Sequence, residues 1–145
     1  MKALFLHADY FAYQCIKNEK VNALQLEPCY DRAKNVFFDC LVIKICFCNG
    51  TSENTLTQLK DEILKFSNNL KCREIVLFPF SHFDSKLLPF KEAKNYYTQL
   101  PIMFQNIAQD KTINSHFVPF GFDKEFVLHI KGHPLNVAWR EFKEA

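Results

Sequence analysis

"NVFFDCLVIKICFCNGTSENTLTQLKDEILKFSNNLKCREIVLFPF", Asn35 to Phe80, changes its hydrophobic period twice. From Asn35 to Cys48 the run is almost continuously apolar, which predicts a long strand, and Asn49-Gly50 ends it as a turn. Leu56, Leu59, Ile63, Phe66 and Leu70 then recur at three and four residues. That spacing predicts a helix from about Glu53 to Leu70, with Ser52 or Thr51 as N-cap and its apolar stripe turned to the core. From Glu74, "EIVLFPF" is a short buried strand, stopped by Pro79.

Working outward, Lys2 to His7 reads as a strand and about Phe11 to Lys17 as a second extended segment. The polar stretch to about Lys34, which contains Pro28, reads as a loop. Downstream, Pro89 opens a helical stretch reaching about Gln109, which Pro101 must kink or split because proline removes a backbone hydrogen bond. A strand is expected at Ile113 to Val118. A further strand lies within "VPFGFDKEFVLHIKGHP", Val118 to Pro134, bracketed by Gly121 and Gly132, two of only three glycines in the chain. A short amphipathic tail follows. Strands alternating with helices, with no linker between them, make this one domain of α/β or α+β class. At 145 residues and 48% hydrophobic composition it is large enough to bury a core.

A net charge of +2 is too small to announce nucleic-acid binding, so any RNA contact must come from local lysines and a shaped pocket. His7 and Asp9 interrupt the apolar N-terminus, which excludes a signal peptide. No later stretch is apolar enough to span a membrane, and a cytosolic location is expected. The six cysteines form no C-x-x-C pair and have no histidine at ligand spacing, so neither a metal nor another cofactor is expected. Cys40, Cys46 and Cys48 share strand parity and read as small hydrophobes, and disulfides are not expected in a cytosolic chain.

"LFPFSHF", Leu77 to Phe83, and "FVPFGF", Phe117 to Phe122, are near-repeats, each at the end of an expected buried strand. Proline there leaves neighbouring backbone groups without ladder partners, and the small residue after Phe lets a ligand approach the chain. Two such ends frame a pocket with aromatic walls and few reactive side chains: His82 after the first end, Lys124 after the second. The same Pro-Phe steps also read as ordinary strand terminators, Lys124 as a solvated lysine and His82 as a loop histidine. His7 and Asp9 read as structural, supporting the pocket from behind or tying down the first strand. His129 is read as packed or exposed without chemistry, and Gly132-His133-Pro134 as a tight exit turn.

"LFLHADY", "FPFSHF", "PFGFDKEF" and "KGHPL" occur in the order and spacing of the N-terminal editing domain of archaeal threonyl-tRNA synthetases, and the chain resembles that family from Met1 to about Arg140. The resemblance implies a D-aminoacyl-tRNA deacylase-like fold of β-sheet with flanking helices, a homodimer, and hydrolysis of serine from mischarged tRNA for threonine. Lys124 and His82 match the family's pocket lysine and histidine. Pro79, Phe80, Ser81, Pro119, Phe120 and Gly121 become the pocket walls. The implied chemistry relies on the terminal 2′-hydroxyl of the tRNA and a positioned water, with the 3′ end of the serine-charged tRNA as partner. A synthetase catalytic domain is implied in the same chain or beside it.

Two positions depart from the family pattern. Asp123 stands where members carry a tyrosine, and Val137 where they carry a glutamate. If "LNVAWREF" is helical, Glu141 lies one turn beyond Val137 on the same face and reaches the vacated position. Two other classes stand against the editing hydrolase: a degenerate, noncatalytic tRNA-binding or dimerisation module, and an enzyme on free small substrates such as a metal-dependent hydrolase. Residues 1–145 are read as the editing domain, continuing into a synthetase if the chain is longer.

Overall fold

The computed structural model describes residues 1–16, 34–108 and 113–144. Strand β1 (Lys2–Ile16) is the axis of a six-stranded sheet. Strand β2 (Asn35–Cys46) runs antiparallel to it from Lys2 opposite Cys46 to Tyr13 opposite Asn35. The other edge of β1 is shared: β6 (Val137–Glu141) covers its first half and β5 (Asp123–Ile130) its second. Beyond β2, β3 (Glu74–Pro79) and β4 (Asn114–Phe117) continue the sheet in parallel, giving the order β4-β3-β2-β1-β5 with β6 beside β1.

The parallel strands require crossovers, and two helices supply them. Helix α1 (Glu53–Leu70) joins β2 to β3, and α2 (Phe90–Ala108) joins β3 to β4. The start of α1 is a reciprocal cap: Thr55 N–H donates to Ser52 Oγ at 3.3 Å and Ser52 N–H donates to Thr55 Oγ1 at 2.8 Å. Lys71 ends it with a left-handed φ of 52°. Both helices bury apolar side chains against one face of the sheet. Leu56, Leu59, Ile63 and Phe66 meet Phe5, Leu41, Ile43 and Ile45, while Leu100 and Phe104 complete that core. The opposite face is a second cluster of Leu6, Phe11, Tyr13, Val42, Phe78, Val118 and Phe122.

Three expectations are corrected. The segments expected at Lys2–His7 and Phe11–Lys17 are one strand in the described residues. Its register with β5 shifts between Ala8 and Tyr10, and Asp39 opposite takes a φ of 47°. Leu6 and Ala8, then Phe11, Tyr13 and Cys15, enter the same cluster, so the irregularity reverses the inward parity and the alternation is broken in sequence. Helix α2 is not split at Pro101. The proline forgoes one hydrogen bond, to the carbonyl of residue 97, while buried Tyr97, Leu100 and Phe104 hold both sides of it in the core. The tail forms a strand, β6, with alternating exposure from Val137 to Glu141. The loop expected up to Lys34, with Pro28 and Cys29, and the end of α2 expected at Gln109 fall outside the described residues.

Candidate functional site

Strands β2, β3 and β4 run in the same direction, and their carboxyl ends open onto one cavity of about 670 Å³. Ligands of α/β sheets favour this position, because the chain leaves the ladder there and its loops diverge. The volume lies within the range of small-molecule sites. The two Pro-Phe ends do frame it: Pro79, Phe80, Ser81 and His82 line one side, and Phe120, Gly121, Phe122, Asp123 and Lys124 another.

Tyr97 of α2 sets the spacing between these ends. Its hydroxyl lies 2.6 Å from the Val118 carbonyl and 3.1 Å from the Leu77 carbonyl, bridging β3 and the residue that follows β4. Contrary to expectation, the backbone after the first proline is not free. Phe80 N–H donates to the Ile45 carbonyl at 2.7 Å, extending the parallel ladder past Pro79, and Val118 N–H donates to Leu77 at 2.9 Å. Gly121 takes a φ of 87°, a conformation that side chains with a Cβ rarely adopt, and so turns the second end back into β5.

Lys124 is half-buried at the start of β5, its ammonium 5.6 Å from the Phe78 ring centre. His82 is exposed and meets the edge of Phe80 at 4.9 Å between ring centres. Asp123 precedes Lys124 on the rim. Two expected residues are not brought into the cavity. Pro119 faces a smaller recess with Tyr97, Thr98, Pro101, Phe117 and Val118, because the strand end presents its neighbours to opposite sides. Val137 sits on β6 opposite Leu6, 46% exposed. Glu141, opposite Lys2, is four strand residues farther along, roughly 13 Å away, so it does not reach the Val137 position.

A second group of ionisable side chains lies near the amino end of β3. His7 is buried, its Nδ1 2.8 Å from His133 Nε2 and its Nε2 3.2 Å from Asp39 Oδ1. Burial holds the His7 ring below the ordinary histidine pKa. Lys131 lies 2.9 Å from Asp39 and 3.2 Å from Asp9. The Lys131 hydrogen bond lowers the Asp39 pKa, and Asp39 in turn raises that of Lys131. His7, Asp39 and Cys72 place ligand atoms within 4.8 Å of one another, a metal-compatible set that sequence spacing did not disclose. The fit is poor, because the Lys131 ammonium already lies 2.9 Å from Asp39 Oδ1, the same oxygen that faces His7. The five described cysteines are all buried.

Sequence reasoning missed Tyr97 and Lys44. Lys44 is 9% exposed near the carboxyl end of β2, with its ammonium over the Phe80 ring at 4.3 Å and the Phe126 ring at 4.5 Å. Its signal in the sequence is a single lysine inside "LVIKIC".

The architecture defines a small mixed α/β domain with a cavity where its parallel strands end. The chain belongs to the archaea-specific editing domain of threonyl-tRNA synthetase, whose family model matches residues 1–142. It is 31% identical to the threonine–tRNA ligase of Hyperthermus butylicus over 99% of this chain and 23% of that protein. It is 29% identical to the threonine–tRNA ligase editing subunit of Aeropyrum pernix over the whole of this chain and 32% of that protein. The chain thus spans about a quarter to a third of these relatives. Among solved structures, the c-Myc DNA Unwinding Element Binding Protein superposes with a TM-score of 0.69 at 10% identity, covering 99% of this chain and 100% of that one, a likeness of fold. The D-aminoacyl-tRNA deacylase-like architecture expected from the sequence is the one observed. No described helix is long and apolar enough to cross a membrane.

Proposed function

We propose that this domain hydrolyses the ester linking serine to tRNA for threonine, proofreading threonyl-tRNA synthesis. The observation that carries the reading is the cavity itself: two proline-terminated strand ends, tied to one helix through Tyr97, hold aromatic walls beside His82 and Lys124. Serine is smaller than threonine by one methyl group, a difference worth only about 1 to 3 kcal/mol to a synthetic site. A hydrolytic site gains selectivity in the opposite sense by refusing the larger group, which requires walls that do not yield.

In the proposed reaction a water oxygen attacks the acyl carbon. The bond from that carbon to the ribose 3′-oxygen breaks, and the ribose oxygen takes up a proton. Negative charge develops on the carbonyl oxygen, and the Lys124 ammonium is the cation placed to meet it. His82 orients the aminoacyl group or the terminal ribose by hydrogen bonding, and the neighbouring 2′-hydroxyl positions the water. Ser81 and Gly121 let the substrate approach the backbone, and Phe80 and Phe120 confine it. Asp123 places a carboxylate on the rim, suited to the substrate's amino group. The domain acts with a threonyl-tRNA synthetase catalytic domain, in the same chain or beside it, and as a homodimer.

The test is deacylation of tRNA for threonine charged with serine or with threonine. The editing reading predicts release of serine and sparing of threonine. Equal rates on both contradict a sieve, and tRNA binding without hydrolysis identifies a noncatalytic module.

A further inference from the structure

Lys44 has no part in the reaction as written above. It stands between Ile43 and Ile45, in register with Leu4 on one side and Phe78 on the other. Its ammonium lies 4.3 Å from the Phe80 ring centre, 4.5 Å from Phe126 and 5.8 Å from Phe78, and all three rings line the cavity. Phe80 follows β3, while Phe126 belongs to β5, on the far side of β1. One cation therefore joins two walls that come from opposite sides of β2.

Burial lowers the pKa of this lysine, and among the described residues no carboxylate offsets that cost. A methionine would fill the same space without desolvating a charge, so stability does not account for a lysine here. What the charge adds is attraction to several ring faces at once, stronger where water does not compete.

We propose that Lys44 is a positioning residue for substrate selection: its ammonium clamps Phe80 to Phe126 and fixes the width against which the extra methyl group of threonine is refused. The proposal rests on the editing reading. Rejecting one methyl group demands a wall held by close packing, since a ring that swings aside accepts it. Among the described residues the rings that meet Phe80 are Phe78 at 6.3 Å and His82 and Phe83, each at 4.9 Å between ring centres, and the two nearer ones do not belong to the sheet.

The experiment compares Lys44→Met and Lys44→Arg with the wild-type protein, measuring kcat and KM on seryl-tRNA and threonyl-tRNA alongside thermal melting. Lys44→Met is expected to melt no lower than wild type. It should lose about tenfold or more of the serine preference, chiefly through new hydrolysis of threonyl-tRNA. Lys44→Arg, which keeps a cation, is expected to retain the preference. An unchanged preference in Lys44→Met overturns the proposal, as does equal loss in both variants. A second readout is independent of activity: the ε-methylene protons of Lys44 should show upfield ring-current shifts in NMR spectra, reduced by Phe126→Leu. Their absence overturns the clamp whatever the enzyme does. Intact shifts in a wild-type protein that hydrolyses neither charged tRNA overturn the editing reading and, with it, the selection role.

Discussion

The two ends of β3 treat charge in opposite ways. Near its amino end each carboxylate has a close polar partner: Asp39 has Lys131 and His7, Asp9 has Lys131, and Glu74 has His116 Nε2 at 2.7 Å. At its carboxyl end, Lys44 and Lys124 lie against phenylalanine rings. Paired charges largely cancel each other's fields and hold strands in place. A ring face attracts a cation without neutralising it, and Lys44 is buried among such faces. On the proposed reading the first group is structural and the second is where the ester is handled.

The largest effect that would break the contrast is at Lys124. Replacing it with Met removes the charge while keeping the stem, and deacylation of seryl-tRNA should fall about 100-fold to 1000-fold, as for loss of one oxyanion-stabilising group. Because Lys124 is only half-buried, melting should change by no more than a few degrees. A fully active variant would place the chemistry elsewhere.

Next comes the paired end. His7→Ala leaves His133 and Asp39 without their shared partner and should cost about 2 to 3 kcal/mol in denaturant unfolding. Turnover per folded molecule should stay near wild type. The pH dependence has a definite sign. The folded pKa of His7 is lowered, so as pH falls through the unfolded value of about 6.5 the unfolded chain gains a proton that the native ring resists. Stability should therefore decline from pH 7.5 to 5.5, and His7→Gln should flatten that slope. A slope unaltered by the substitution would show that His7 is not its source.

The smallest expected effect is at Val137. On the exposed face of β6, outside the cavity, Val137→Glu should change stability by no more than about 0.5 kcal/mol and leave seryl-tRNA hydrolysis close to wild type. A clear gain in rate would bring β6 into the site and redraw the comparison.

The run from β2 through α1 to β3 was legible because each element has an undisturbed period, and Ser52 at the start of α1 is a strong cap. The unity of β1 was not, because the irregularity between Ala8 and Tyr10 moves the apolar residues from even to odd positions. The tail misled because Val137, Ala138 and Trp139 are too short a run to separate helix from strand, and pairing with Leu6, Phe5 and Leu4 decides it. At the site, the repeated Pro-Phe ends marked both sides of the cavity, but local spacing does not say which side of the chain Pro119 turns toward. Lys44 was hidden because its ring partners come from β5 and the end of β3. The His7 cluster was hidden because Asp39 and His133 lie 32 and 126 residues away.

Whether the aminoacyl group is handled at the carboxyl ends of the parallel strands is decided by a crystal structure with a non-hydrolysable seryl-adenosine, in which an amide replaces the ester. The seryl group is expected between Pro79–His82 and Phe120–Lys124, with the Lys124 ammonium within about 3 Å of the acyl oxygen. The same compound seated against His7 and His133, or on the exposed face of β6 beside Trp139, would contradict that placement.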